Sequence, residues 1–161
     1  LIHLIRDARG FAWSLKKPFE RDDARGVQEH IRALSIWHSS MSWLVGNLEA
    51  SLVRWWYGPH KCLCVRYEDL VENPASVLAG IAKAADVDLS GVIERVISGE
   101  SLSIGHTVAG NRLRMKGNWK LEADEEWHEK MSRRDVWIVW SLCGWLLRRY
   151  GYERGNARTG S

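Results

Sequence analysis

The 161-residue sequence has only three cysteines, too odd a count for a closed disulfide framework. Cys62, Cys64 and Cys143 therefore read as reduced thiols. Cys62 and Cys64 flank Leu63 in an apolar run, so both point to one face and suit burial as small hydrophobes. A metal site is not expected, because no His/Cys set follows at ligand spacing. No apolar run is long enough to span a bilayer; Val136–Leu147 is too short and reads as a buried C-terminal helix. Neither sign of charge dominates. A net charge of +3 tolerates an anionic ligand, but the dense basic stripe of a nucleic-acid binder is missing. No internal repeat, low-complexity block or signal peptide is read. The chain starts with Leu inside an apolar strand, which is expected of a piece of a longer polypeptide.

Tryptophan is the residue in excess, with ten copies. These supply large surfaces for a core or for the lining of a groove. Leu1–Ile5 is a continuous apolar run, the pattern of a central parallel strand in which His3 is a hydrogen-bonded core residue. Asp7–Leu15 follows as a short helix, then Lys16–Ala24 as a polar loop. From Val27 to Trp56, apolar residues recur at three- and four-residue steps. That spacing predicts a long amphipathic helix, broken near Gly46, with its tryptophan stripe in the core. Cys62–Arg66 is a second short strand, and Tyr67–Leu70 turns out of it. Asn73-Pro74 is a helix start, Asn as N-cap and Pro at the first helical position. Helices follow over Ala75–Ala85 and Leu89–Ser98. Gly99–Gly117 loses all periodicity, and helices over Asp124–Met131 and Arg134–Arg149 close the fold. Residues 1–152 read as one domain and residues 153–161 as a flexible tail. The order of strands and helices is α/β, a partial parallel sheet flanked by helices, and helix-rich. Two strands leave that sheet incomplete, and its remaining strands are expected upstream of Leu1.

Three clusters carry chemistry. Arg6 stands at the C-terminal end of the first strand, and Ser14 lies eight residues on in the next helix. In open α/β sheets ligands sit beyond the strands' C-terminal ends, and an arginine fork, a hydroxyl and a helix N-terminus suit an anion. Equally, Arg6 could pair with Asp7 or Glu68 and Ser14 could be a solvated helix residue. Arg66, Tyr67, Glu68 and Asp69 follow the second strand. Their carboxylates could serve acid–base chemistry, or orient a neighbouring Arg and cap a turn. Gly110–Lys120 interleaves Arg112, Arg114, Lys116 and Lys120 with glycines, either a phosphate clamp or a solvated basic loop.

The segment Leu4–Ser14 (LIRDARGFAWS) resembles the second nucleotide-binding segment of sulfotransferases, with Ala8 where that family usually has proline. Val65–Leu70 followed by Asn73-Pro74 is similar to the same family's next strand–turn–helix signature. His106–Asn111 with Arg114, Lys116-Gly117 and Trp119-Lys120 resembles its C-terminal loop, with Met115 interposed. Arg149–Tyr152 matches its usual ending. The resemblance implies a P-loop nucleotide-kinase-like fold. It also implies transfer of a sulfonate group from 3'-phosphoadenosine 5'-phosphosulfate (PAPS) to a hydroxyl or amine, leaving 3',5'-ADP. By position, Arg6 and Ser14 would hold the 3'-phosphate, Arg114, Lys116 and Gly117 would close over it, and Tyr67, Glu68 and Asp69 would be structural.

The family's Gly-rich loop for the 5'-phosphosulfate has no counterpart in residues 1–161. That loop and the catalytic base are expected upstream of Leu1, which would leave this stretch inactive by itself. Two other readings stay open. One is a non-catalytic, truncated sulfotransferase-like module that binds 3',5'-ADP or a protein partner. The other is a phosphate-binding or nucleotide-kinase-like protein, against which the 3'-phosphate residues argue. The acceptor would be a small molecule or carbohydrate; no nucleic acid partner is expected, and homo-oligomers are compatible with the sequence. The absence of paired cysteines leans to the cytoplasm; a Golgi lumen location would require an N-terminal anchor outside this stretch.

Overall fold

The computed structural model describes residues 1–17, 33–100, 102–103, 118–119 and 126–154. The chain divides into two compact units: Leu1–Lys17, Ala33–Glu68 and Asp124–Ser161 in one, Pro18–Arg32 and Asp69–Ala123 in the other.

In the first unit, strand β1 (Ile2–Ile5) pairs in parallel with β2 (Leu63–Arg66), in the register Ile2↔Leu63 to Ile5↔Arg66. Helices α1 (Ala8–Lys16), α2 (Ile36–Tyr57), α6 (Glu126–Lys130) and α7 (Arg133–Arg149) complete it. The result is helix-rich, with a small two-stranded parallel sheet. The core gathers Ile5, Ala8 and Ala12 with Trp43 of α2, Trp127 of α6 and Val139, Cys143 and Leu147 of α7. Burial, and then the negative charge of Asp7, pushes the Cys143 thiol up to about 12. All three cysteines are free.

Alternation along β1 sorts its side chains to two faces. His3 and Ile5 face the helices. The His3 Nε2 lies 3.0 Å from Asn47 Oδ1 of α2, and its ring meets Tyr150 edge-on, so it is the hydrogen-bonded histidine expected. Ile2 and Leu4 face the other way and are each 53% exposed. The apolar run therefore does not read out as a strand buried on both sides.

Helix α2 departs from expectation in three ways. It begins at Ile36 rather than Val27, because the Ser35 side chain caps it by accepting from the His38 N–H; residues 27–32 lie outside the described set. It runs unbroken through Gly46 to Tyr57. Its tryptophans do not form a core stripe either: Trp43 is buried, but Trp55 and Trp56 are 76% and 79% exposed. The helix stops where expected, at Gly58 (φ +92°) and Pro59, which opens a short 3-10 turn into β2. No helix among the described residues is long and apolar enough to cross a membrane.

The expected turn after β2 is a short helix, α3 (Tyr67–Glu72), running into the second unit. There α4 (Pro74–Ala85) starts as the sequence dictates: Asn73 Oδ1 accepts from the Ser76 N–H and Pro74 sits at the first helical position. Helix α5 (Ser90–Ile97) packs beside α4. Two-residue strands β3 (Leu102–Ser103) and β4 (Asn118–Trp119) pair antiparallel. Residues 104–117, which hold the basic Gly-rich loop, lie outside the described set.

Candidate functional site

The site is built on the turn from β1 to α1. Asp7 caps α1: its Oδ1 accepts from the Arg9 N–H at 2.8 Å. The same carboxylate receives the Arg9 guanidinium, Nη2 to Oδ2 at 2.6 Å and Nε to Oδ1 at 3.0 Å. The positive end of the helix thus already faces its own anion, and a ligand anion has to be met on the side of α1 rather than at its tip.

Arg6 is positioned for that side. Its carbonyl accepts from Trp43 Nε1 at 2.8 Å, which anchors the strand end to α2. Its guanidinium lies over the Tyr67 ring, 5.0 Å from the centroid. Its Nε sits 3.4 Å from the point where a Cβ on Gly10 would stand, and Trp127 Nε1 lies 3.1 Å from the same point. The missing side chain at Gly10 is what lets the Trp127 ring lie against the helix, with Arg6 at ordinary contact distance beside it. Ser14 follows Gly10 by four residues, so it shares that face one turn further on, about 6 Å along the axis. The structure therefore brings the two predicted residues to one face of one helix. The Ser14 hydroxyl donates to the Phe11 carbonyl at 2.8 Å, and engaging a phosphate requires it to turn outward.

The Gly10→Ala variant tests this packing. Alanine favours a helix interior by about 1 kcal/mol over glycine. The new methyl meets Trp127, which is stacked on Arg9 (4.6 Å) and His128 (3.7 Å) and has little room to move; overpacking of this kind costs typically 1–3 kcal/mol. The expected net result is a loss of about 1 kcal/mol in urea denaturation.

In the second cluster, Glu68 is held in two hydrogen bonds. Glu68 Oε1 accepts from the Asp7 N–H at 2.9 Å and Oε2 accepts from the Tyr152 hydroxyl at 2.5 Å. One carboxylate at the start of α3 thus joins the turn after β1 to the segment after α7. Burial, and then the hydrogen bond to Glu68, pushes the Tyr152 hydroxyl far above the usual tyrosine range. Arg66 lies over the Tyr152 ring, 4.3 Å from its centroid. Of the remaining predicted residues, Arg114, Lys116 and Gly117 lie outside the described set.

Sequence reasoning gave no individual role to Arg9 or Tyr152. Arg9 is nearly as buried as a core leucine, held between Asp7 and the rings of Trp127 and Trp140, and it donates to the carbonyls of Glu153 and Arg154. The available signal was an Asp at a helix N-cap with an Arg two residues on.

The site is thus a small parallel sheet with an arginine at a strand's C-terminal end and a hydroxyl on the following helix. A sulfotransferase family model matches residues 1–91, more than half of the chain, and the protein belongs to the sulfotransferase family. The match includes Arg6, Ser14 and Arg66–Asn73. Neither the curated proteins nor the solved structures yield a match to it.

Proposed function

We propose that this chain forms the 3'-phosphate grip of a PAPS-dependent sulfotransferase, on a P-loop nucleotide-kinase-like domain spanning residues 1–152. The observation that carries the reading is Arg6, laid over Tyr67 and against Gly10 on the face of α1 that also bears Ser14. These residues fit the nucleotide: a largely dianionic 3'-phosphate takes charge-assisted hydrogen bonds from an arginine fork and a hydroxyl. When bound, PAPS supplies the sulfonate group that passes to a hydroxyl or amine on a small-molecule or carbohydrate acceptor.

Arg6 holds the phosphate end, and Ser14 redirects its proton from the Phe11 carbonyl to a phosphate oxygen. The resemblance assigns Arg114, Lys116 and Gly117 to the same phosphate. Glu68 fixes the turn from which Arg6 departs; it is not assigned as a base, and no residue in the chain is. The free cysteines suit a reducing compartment, the cytoplasm.

Calorimetric titration tests the grip. 3',5'-ADP is expected to bind more tightly than 5'-AMP or ATP, by about 10–100-fold, the equivalent of one or two hydrogen bonds to a charged group. Arg6→Ala is expected to erase that preference while the far-UV circular dichroism stays unchanged. Equal affinity of the wild-type chain for 3',5'-ADP and 5'-AMP would overturn the assignment of Arg6 and Ser14. A sulfonate-transfer assay with PAPS then separates an enzyme from a module that only binds 3',5'-ADP.

A further inference from the structure

Two indole N–H groups stand beside Arg6. Trp43 Nε1 donates to the Arg6 carbonyl at 2.8 Å, and that bond holds the strand end. Trp127 Nε1 makes no hydrogen bond among the described residues, although Trp127 is only 8% exposed. The nitrogen is not sealed off from solvent either, so a ligand can reach it. An indole N–H donates and never accepts, and a buried one ordinarily has an acceptor.

The surroundings determine which acceptor fits. At the point over Gly10 where a Cβ would stand, the three nearest atoms are Trp127 Nε1 at 3.1 Å, Trp127 Cδ1 at 3.2 Å and Arg6 Nε at 3.4 Å. Two nitrogen donors, one from α6 and one from the end of β1, thus flank one spot on the face of α1. None of the three atoms is an acceptor. The carboxylates of the adjoining turn are already engaged: Asp7 receives Arg9, and Glu68 receives the Asp7 N–H and the Tyr152 hydroxyl. The acceptor has to arrive with a ligand, and beside a guanidinium that ligand is an oxyanion.

The donor is also held in place in advance. The Arg9 guanidinium lies 4.6 Å from the Trp127 ring centroid, and the His128 ring stacks on it at 3.7 Å. A group already ordered loses little freedom when the ligand binds. Trp127 lies outside residues 1–91, the stretch that matches the sulfotransferase family.

We propose that the Trp127 Nε1–H is a further donor to the phosphate held by Arg6 and Ser14, and that it sharpens the selection of a nucleotide carrying a 3'-phosphate. A tetrahedral phosphate presents several acceptor oxygens, so one can face Arg6 while another faces Trp127. The proposal rests on the reading of Arg6 given above.

Trp127→Phe keeps an aromatic ring on Arg9 and removes the N–H. In calorimetric titration of the whole chain it is expected to weaken 3',5'-ADP binding by about 10-fold, the loss of one hydrogen bond to a charged group, and to leave 5'-AMP binding unchanged. A second measurement needs no variant. In nitrogen–proton correlation spectra, the Trp127 indole cross-peak, assigned through its own side-chain carbons, is expected to move downfield on addition of 3',5'-ADP and to stay in place with 5'-AMP. A wild-type preference for 3',5'-ADP that is lost in Arg6→Ala but survives Trp127→Phe would overturn this proposal alone. Equal weakening of both nucleotides in Trp127→Phe would do the same, by reducing Trp127 to a packing role, as would an indole cross-peak that 3',5'-ADP leaves unmoved. Absence of any preference in the wild-type chain would overturn the reading of Arg6 and this proposal with it.

Discussion

Replacing Arg9 with alanine is expected to cost about 3–5 kcal/mol of stability, the range for stripping one partner from a buried ion pair. Asp7 and Arg9 are 4% and 6% exposed, so the carboxylate left behind has little access to water. The substitution also removes a guanidinium stacked between Trp127 and Trp140 and leaves a gap between two indoles. Arg9→Lys keeps the charge, but it loses the fork that engages both Asp7 oxygens and the flat face that stacks on the rings. It is therefore expected to recover only part of the loss. Urea denaturation of Arg9→Ala, Asp7→Ala and the double variant closes a thermodynamic cycle. The double variant is expected to lose clearly less than the two single losses together, because no buried charge is left alone. Single losses below about 1 kcal/mol would mean that the pair is solvated.

Glu68→Ala is expected to cost about 2–4 kcal/mol, because it deprives both the Asp7 N–H and the Tyr152 hydroxyl of their acceptor and each such loss is worth roughly 1–3 kcal/mol. Since Glu68 holds the turn, the 3',5'-ADP preference is expected to fall along with stability. The pH dependence gives an independent reading. The Tyr152 hydroxyl is raised in the folded state, first by burial and then by Glu68. Its contribution to stability is therefore complete below pH about 10, where an unfolded tyrosine begins to ionise, and is lost as pH rises further. Thermal melts of the wild-type protein are expected to drop above that pH, and Tyr152→Phe to flatten the drop. An equal drop in Tyr152→Phe would assign the alkaline loss to other groups.

The local features of the fold were legible; the roles given to Arg6 and Ser14 come from the resemblance. Asn73-Pro74 starts a helix wherever it occurs before a helical run, and a strand-end arginine followed by a hydroxyl at helical spacing lands on one face. What escaped depended on partners distant in sequence. Periodicity placed Trp37, Leu48 and Leu52 on one side of α2, but it could not say that the side facing the core belonged to Ile36, Ser40 and Trp43. The same limit hid Arg9. A lone arginine in the first turn of a helix reads as a solvent residue until two tryptophans from α6 and α7 are brought over it. Ser35 caps α2, but the apolar residues before it extended the helical pattern and masked the start.

The contacts between the two ends of the sequence also bear on how the protein is made. The turn that aims Arg6 is fastened by Tyr152 through Glu68, and Arg9 grips the carbonyls of Glu153 and Arg154. Residues 7–9 thus reach their final geometry only after residues 152–154 have emerged from the ribosome. A nascent chain stalled short of Tyr152 has the strand, the helix and the arginine but not the fastening. The fastening of that turn is then a late event relative to the synthesis of the turn itself.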